Sequence, residues 1–207
     1  MRKFLLLITV SAALTGCSNP AANKPAATVG NAAQESNTPK PASTETLAIT
    51  PENSKVEFVA SKVTRSHYGS FKQFSGTVGL AENIANSSVK IDIETASVEV
   101  DDPGLTTHLK TPDFFDVAKF PKANFTSTKI DAAGGDNYTV TGNFDLHGVK
   151  KSISFPATIK VAADNVAVDA EFAINRKDFG IVYAGKADDL IRDQVVIKLN
   201  LRVPRKK

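Results

Sequence analysis

The sequence predicts an all-β domain of eight antiparallel strands with a short helical insert. Three observations carry that expectation. From about Leu47 to Pro204, apolar and polar residues alternate with a period of two, the repeat of a strand that buries one face. Turn-forming residues separate the alternating runs, at Gly134-Gly135-Asp136-Asn137, His147-Gly148 and Asp164-Asn165. Only two short stretches, Ser66–Ser70 and Pro103–Asp116, interrupt the pattern.

The first strand sets Val56, Phe58 and Ala60 against Lys55 and Glu57, and the second carries Phe74, Gly76, Val78 and Leu80. The third sets Val89, Ile91 and Ile93 against Lys90, Asp92 and Glu94. Phe125, amid Thr and Ser, marks a fourth. The fifth alternates Tyr138, Val140, Phe144 and Leu146 with Thr139, Thr141, Asn143 and Asp145. The sixth runs through Ile153, Phe155, Ala157, Ile159 and Val161, and the seventh through Val166, Val168, Ala170, Phe172 and Ile174. The last holds Val195, Ile197, Leu199, Leu201 and Val203 on one face. Pro103–Asp116 reads as a short helix opened by Asp102-Pro103 and broken at Pro112, after which Phe114-Phe115 dock. Ser66–Ser70 reads as a kink between strands. Both interruptions are candidates to cover an open end. Eight such strands can close into a barrel, which removes exposed edges, or pack as a two-sheet sandwich. Alternation alone does not separate the two.

The chain of 207 residues carries 25 Lys and Arg against 22 Asp and Glu. Loss of a leader with Arg2 and Lys3 leaves 23 against 22. So balanced a charge argues against a nucleic-acid partner. With one Cys, an internal disulfide and a Cys-based metal site are excluded. His67, His108 and His147 lack metal-ligand spacing, so capping or hydrogen-bonding roles are expected and no metal is. Asp113 and Asp116 follow Pro112 and read as loop-ordering carboxylates. No Gly-x-Ser-x-Gly elbow, P-loop or His-Glu-x-x-His occurs, and catalysis is not expected.

The N-terminus reads as an address. Met1-Arg2-Lys3 precedes an apolar run, Phe4–Leu14, too short to cross a bilayer about 30 Å thick. Leu14-Thr15-Gly16-Cys17 resembles the bacterial lipoprotein signal, which implies cleavage after residue 16 and acylation, palmitate included, of Cys17. Ser18 in place of Asp implies the outer membrane, facing the periplasm. Two or more acyl chains anchor stably, at about 0.8 kcal/mol per buried CH₂. Residues 17–46, with Pro20, Pro25, Pro39 and Pro41 and no aromatic residue, read as a disordered tether. The domain is expected over 47–204, with 205–207 a basic tail.

His108-Leu109-Lys110-Thr111-Pro112-Asp113-Phe114-Phe115-Asp116 with Lys119-Phe120-Pro121 resembles the signature of the YceI-like family of bacterial envelope proteins. Gly142-Asn143-Phe144-Asp145-Leu146-His147-Gly148-Val149-Lys150-Lys151 resembles its second motif, and Phe172–Gly180 its third. All three come in the family's order and spacing. The resemblance implies an eight-stranded, lipocalin-like barrel with a helical element. Its apolar lumen would bind a polyisoprenoid, an isoprenoid quinone or a similar amphiphilic lipid, with no further cofactor. One departure is the turn Ala162–Asn165, where many relatives carry a longer loop containing Gly and Trp.

Inward parity and the resemblance together nominate lining residues: Phe58, Phe71, Phe74, Val78, Ile91, Phe114, Phe115, Phe125, Val140, Phe144, Phe155, Phe172, Ile174 and Phe179. Arg176 continues the parity of Phe172 and Ile174 at a strand end. Its forked donors suit a phosphate, carboxylate or quinone oxygen, or a structural pair with Asp178 or with a carboxylate of Phe114–Asp116. The expected function is lipid binding, with transport or storage as its use. The rival is an envelope interaction lipoprotein with a dry core. Oligomeric state is left open, a homodimer included.

Overall fold

The computed structural model describes residues 19–34 and 45–205. The expected signal peptide and the acylation site Cys17 lie outside the described residues. Twelve strands form one sheet, in the order β2 (Glu45–Ile49), β5 (Phe74–Leu80), β6 (Ser88–Glu94), β8 (Lys122–Ala132), β9 (Asn137–Leu146), β10 (Val149–Val161), β11 (Asn165–Asn175), β14 (Gln194–Pro204), β3 (Ser54–Ser61), β4 (Ser66–Phe71) and β7 (Val98–Val100), with β1 (Thr28–Asn31) added beside β10. A two-stranded hairpin, β12 (Gly185–Lys186) and β13 (Asp189–Leu190), stands apart. The sheet curls on itself as an antiparallel half-barrel, the lipocalin-like all-β fold expected.

The strand count differs from eight. β2 was missed because Pro51 cuts its alternation after Leu47 and Ile49, both only 1% exposed. β7 is three residues long, too short for a period. The Ser66–Ser70 kink is corrected to a strand: β4 pairs with β3 from Ser61↔Ser66 to Val56↔Phe71. Gly69 lies within this strand. It is needed because the Phe58 ring lies across it, with Cζ only 2.3 Å from where a Cβ would stand.

Residues 19–34 correct the disordered-tether reading over that stretch. β10 and β11 form a hairpin closed by Ala162–Asn165, but they pair only from Val161↔Val166 to Thr158↔Asp169. Beyond that they splay, and β1 fills the slot. It pairs with β10 from Thr28↔Ser154 to Asn31↔Lys151. On the other side, the Ala27 N–H donates to the Ala173 carbonyl (2.8 Å) and the Ala173 N–H to the Pro25 carbonyl (2.9 Å). Asn143, 4% exposed, exchanges two 2.9 Å hydrogen bonds with the backbone of Ala33. Ala21 packs on the outer face of the sheet against Val59, Ala173 and Val196. Composition missed this because main-chain hydrogen bonds to two open edges hold the segment, with little apolar burial. Of the basic tail, Arg205 belongs to the fold, donating to Glu45 at 2.9 Å.

α1 (Pro103–Leu109) forms where expected. Asp102 caps it, its Oδ1 accepting from the Leu105 N–H at 3.0 Å, with Pro103 at the first helical position. His147 and Gly148 both take positive φ, 54° and 74°, and turn β9 into β10 as a two-residue hairpin. The Pro103–Pro121 segment and residues 176–193 gather at the end of the sheet where β3, β9 and β11 finish. This is the capped end. Near the opposite end Leu47, Ile49, Val166, Leu201 and Val203 pack solidly, each no more than 1% exposed.

Candidate functional site

Beneath the cap the core is hollow. A cavity of about 100 Å³ lies among Phe58, Ala60, Phe71, Ile93, Leu109, Phe114, Phe115, Ala123, Phe144, Leu146, Ile174, Arg176, Ile181, Ile191, Val195 and Ile197. A second, of about 70 Å³, lies deeper, among Val56, Glu57, Ile91, Phe125, Ile153, Phe155, Phe172 and Leu199. Phe58, Phe71, Ile93, Phe144 and Ile197 border both, so the two cavities adjoin across these side chains and together make up the chamber. A side cavity of about 40 Å³ opens off Phe58, Leu109 and Phe114 toward His67 and Leu105. Phe71, Phe115, Phe144, Val195 and Ile197 are only half-buried where they border the void.

Aromatic contacts shape the walls. Phe71 meets Phe58 and Phe115 at 5.7 and 5.6 Å between ring centroids. Phe155 stacks flat on Phe172 at 4.1 Å in the deeper half. His108, Phe114 and Tyr183 form a mutual edge-to-face trio at 5.0–5.4 Å that closes the cap.

Of the nominated residues, Phe58, Phe71, Ile91, Phe114, Phe115, Phe125, Phe144, Phe155, Phe172, Ile174 and Arg176 border the chamber. Phe74, Val78 and Val140 do not; they are solid core. Phe179 is fully buried behind Phe144, 5.2 Å between centroids, because the chain leaves β11 at Arg176 and turns into a 3-10 segment. Parity reasoning passed over Ile93, Leu146, Val195 and Ile197, although strand alternation carried that signal. Ile181 and Ile191 come from an irregular loop without a period to read.

Arg176 is 4% exposed. Its Nη1 donates to the Ile181 carbonyl at 2.8 Å, Nε to that of Arg192 at 3.2 Å, and Nη2 to Ile191 O and Asp193 Oδ1 at 3.4 and 3.3 Å. The expected partner, Asp178 or Phe114–Asp116, is therefore corrected to Asp193 and three carbonyls. Four of five N–H donors are committed to folding the 176–193 loop, and the carbon stem borders the chamber. Burial lowers the guanidinium pKa and Asp193 opposes the shift; Arg remains charged.

The histidines make hydrogen bonds. His67 Nδ1 lies 2.8 Å from Asp101 Oδ1 and His108 Nε2 2.8 Å from Asp113 Oδ2, while His147 packs on Phe120. Burial raises the Asp101 pKa, but hydrogen bonds from His67 and the Tyr68 N–H outweigh it, and the net shift is downward. Among the described residues, no group of three His, Cys, Asp or Glu is placed to hold a metal.

A curled antiparallel sheet with a capped, carbon-lined chamber defines a class: small β-proteins with an enclosed apolar cavity. Residues 47–203 match the YceI-like domain. The chain belongs to that family. Protein YceI of Salmonella arizonae is 37% identical over 121 residues, covering 55% of this chain and 63% of the relative; the match thus spans less than two thirds of the relative's length. The crystal structure of BcnA from Burkholderia cenocepacia superposes with a TM-score of 0.68 at 28% identity, covering 74% of this chain and 98% of that one. A polyisoprenoid binding domain from Saccharophagus degradans, implicated in plant cell wall breakdown, shares the fold with a TM-score of 0.64 at 19% identity, over 78% and 99% of the two chains.

Proposed function

We propose that this protein binds an isoprenoid-type amphiphile, a polyprenyl lipid or an isoprenoid quinone, tail-first in the chamber. It would transport or store that lipid in the bacterial envelope, held to the outer membrane through acylated Cys17. It is read as a binding protein, not an enzyme. The observation that supports this most is the pair of adjoining, carbon-lined cavities that share Phe58, Phe71, Ile93, Phe144 and Ile197 as walls. Left empty, a void of about 100 Å³ costs roughly 2 kcal/mol at about 24 cal/mol per Å³. Filling it with apolar carbon removes that cost. Each five-carbon isoprene unit taken from water contributes about 3–4 kcal/mol at about 0.8 kcal/mol per carbon, so a few units exceed an association cost of about 4–15 kcal/mol. The likeness to a polyisoprenoid binding domain supports the same guest class.

Mass spectrometry of an organic extract from protein purified natively from a bacterial envelope tests the reading, with Phe144→Glu as control. A stoichiometric prenyl lipid or quinone in the wild type, absent from the folded variant, is expected. A folded wild type with no lipid would overturn it in favour of an interaction lipoprotein with a dry core.

A further inference from the structure

We propose that the capped end is a membrane-docking surface whose partner is the lipid bilayer carrying the protein's own anchor. Three placements lead there. First, the docked N-terminal segment fixes where the anchor attaches. Ala21 sits over the row Ala173–Val196–Val59 on the outer face. The Asn19 side chain and carbonyl accept from the Ala21 and Ala22 N–H groups, and Lys24 pairs with Glu171 at 2.8 Å. That row lies two residues from the capped ends of β11 and β14, at Asn175 and Gln194, and eight from their far ends, at Asn165 and Pro204. At about 3.3 Å per residue these are roughly 7 Å and 26 Å. Cys17 is two residues before Asn19 and reaches at most about 7 Å from it. The described chain therefore begins near the capped end, two residues after the expected acylation site.

Second, the exposed apolar side chains cluster at that end. Of five large apolar residues exposed among those described, Val63, Tyr68, Val182 and Leu190 lie there, and Val161 alone lies at the far end. Val63, after β3, and Leu190, in β13, are joined by a backbone hydrogen bond of 3.2 Å. Tyr68 pairs across the ladder with Val59, which packs on the docked Ala21. Exposed aliphatic tips with an amphipathic Tyr at their edge suit the interfacial layer of a bilayer.

Third, the same loops enclose the chamber. Ile181, next to Val182, and Ile191, next to Leu190, border the larger cavity. A bilayer against this surface places the guest's source directly over the chamber, so an amphiphile passes between them without crossing water. The proposal rests on acylation at Cys17 and on lipid as the guest.

The test uses the full acylated chain, purified from a bacterial envelope, in phosphatidylethanolamine–phosphatidylglycerol vesicles. An environment-sensitive fluorophore is attached at Val182→Cys or, at the far end, Ala163→Cys. Flotation with the vesicles reports the anchor, and spin-labelled lipid reports proximity. Expected is flotation of both proteins, with a blue shift and loss of most emission at position 182 and no change at 163. Flotation with no response at 182, or with quenching at 163, would overturn the orientation while the anchor reading stands. Failure to float, with an unmodified Cys17 by mass spectrometry, would overturn the anchor and this proposal together. A response at 182 to envelope proteins but not to lipid would assign the surface to a protein partner instead.

Discussion

Phe155 and Phe172 stack face to face, 4.1 Å between centroids and 11° between planes, at a level where the strands that carry them no longer pair. The β10–β11 ladder stops at Thr158↔Asp169. The stacked rings keep the two walls in contact from inside, while β1 bridges them from the edge.

Replacing Phe172 by Ala should lower stability by about 3–5 kcal/mol, since its ring is 2% exposed and borders the deeper cavity. Urea unfolding measures the loss. Added prenyl lipid should recover part of it, because a guest that binds only the folded state stabilises by mass action.

Arg176→Ala should cost at least about 1.5–3 kcal/mol, the scale of charge-assisted hydrogen bonds left unmade in a buried site. Lys at this position keeps the charge but not the fork, so Arg176→Lys should recover little. Full recovery of the urea midpoint in the Lys variant would refute the loop-folding role.

The docked segment should respond to acid. Hydrogen bonds from Lys24 and Lys198 hold the Glu171 carboxyl below its ordinary pKa, against a smaller effect of burial. A depressed folded pKa stabilises above the unfolded value and loses that contribution as pH falls through the folded one. Both lysine pairs are part-exposed, so Glu171→Gln should cost no more than about 1 kcal/mol near neutral pH. The gap between wild-type and variant urea curves should narrow below about pH 4. A gap that ignores pH would dismiss the ion pairs.

Gly142→Ala should shrink the chamber. A Cβ there would stand 2.4 Å from Phe125 Cζ and 2.5 Å from the Thr126 carbonyl oxygen. Both the ring and the β8 backbone at Thr126 must yield, at a cost of at least about 1–3 kcal/mol. Extracted lipid should carry a shorter tail than that from the wild type.

Much of this was legible in the sequence, for reasons that differ by element. Phe58, Phe144 and Phe172 announce their face because strand geometry gives a period of two, and Asp102-Pro103 announces α1 through capping chemistry. Ile197 was equally legible by parity. Ile181, Ile191 and the Asp193 partner of Arg176 were not, because residues 176–193 fold back through carbonyl contacts that leave no repeat. β1 was illegible for another reason: its partners are open strand edges created by the splay of β10 from β11, and main-chain pairing leaves little trace in side-chain composition.

That splay has a kinetic consequence. Thr28 pairs with Ser154, and the slot they share does not exist until β10 and β11 have both formed. Closing so long a loop is entropically slow. In a chain delivered N-terminus first, the earliest ordered residues to emerge are thus among the last to find their place. Until they do, two strand edges stand open to any other extended chain. The interval between synthesis and closure of this slot is when the protein is most exposed to misassembly, and when an escort that masks strand edges would matter most.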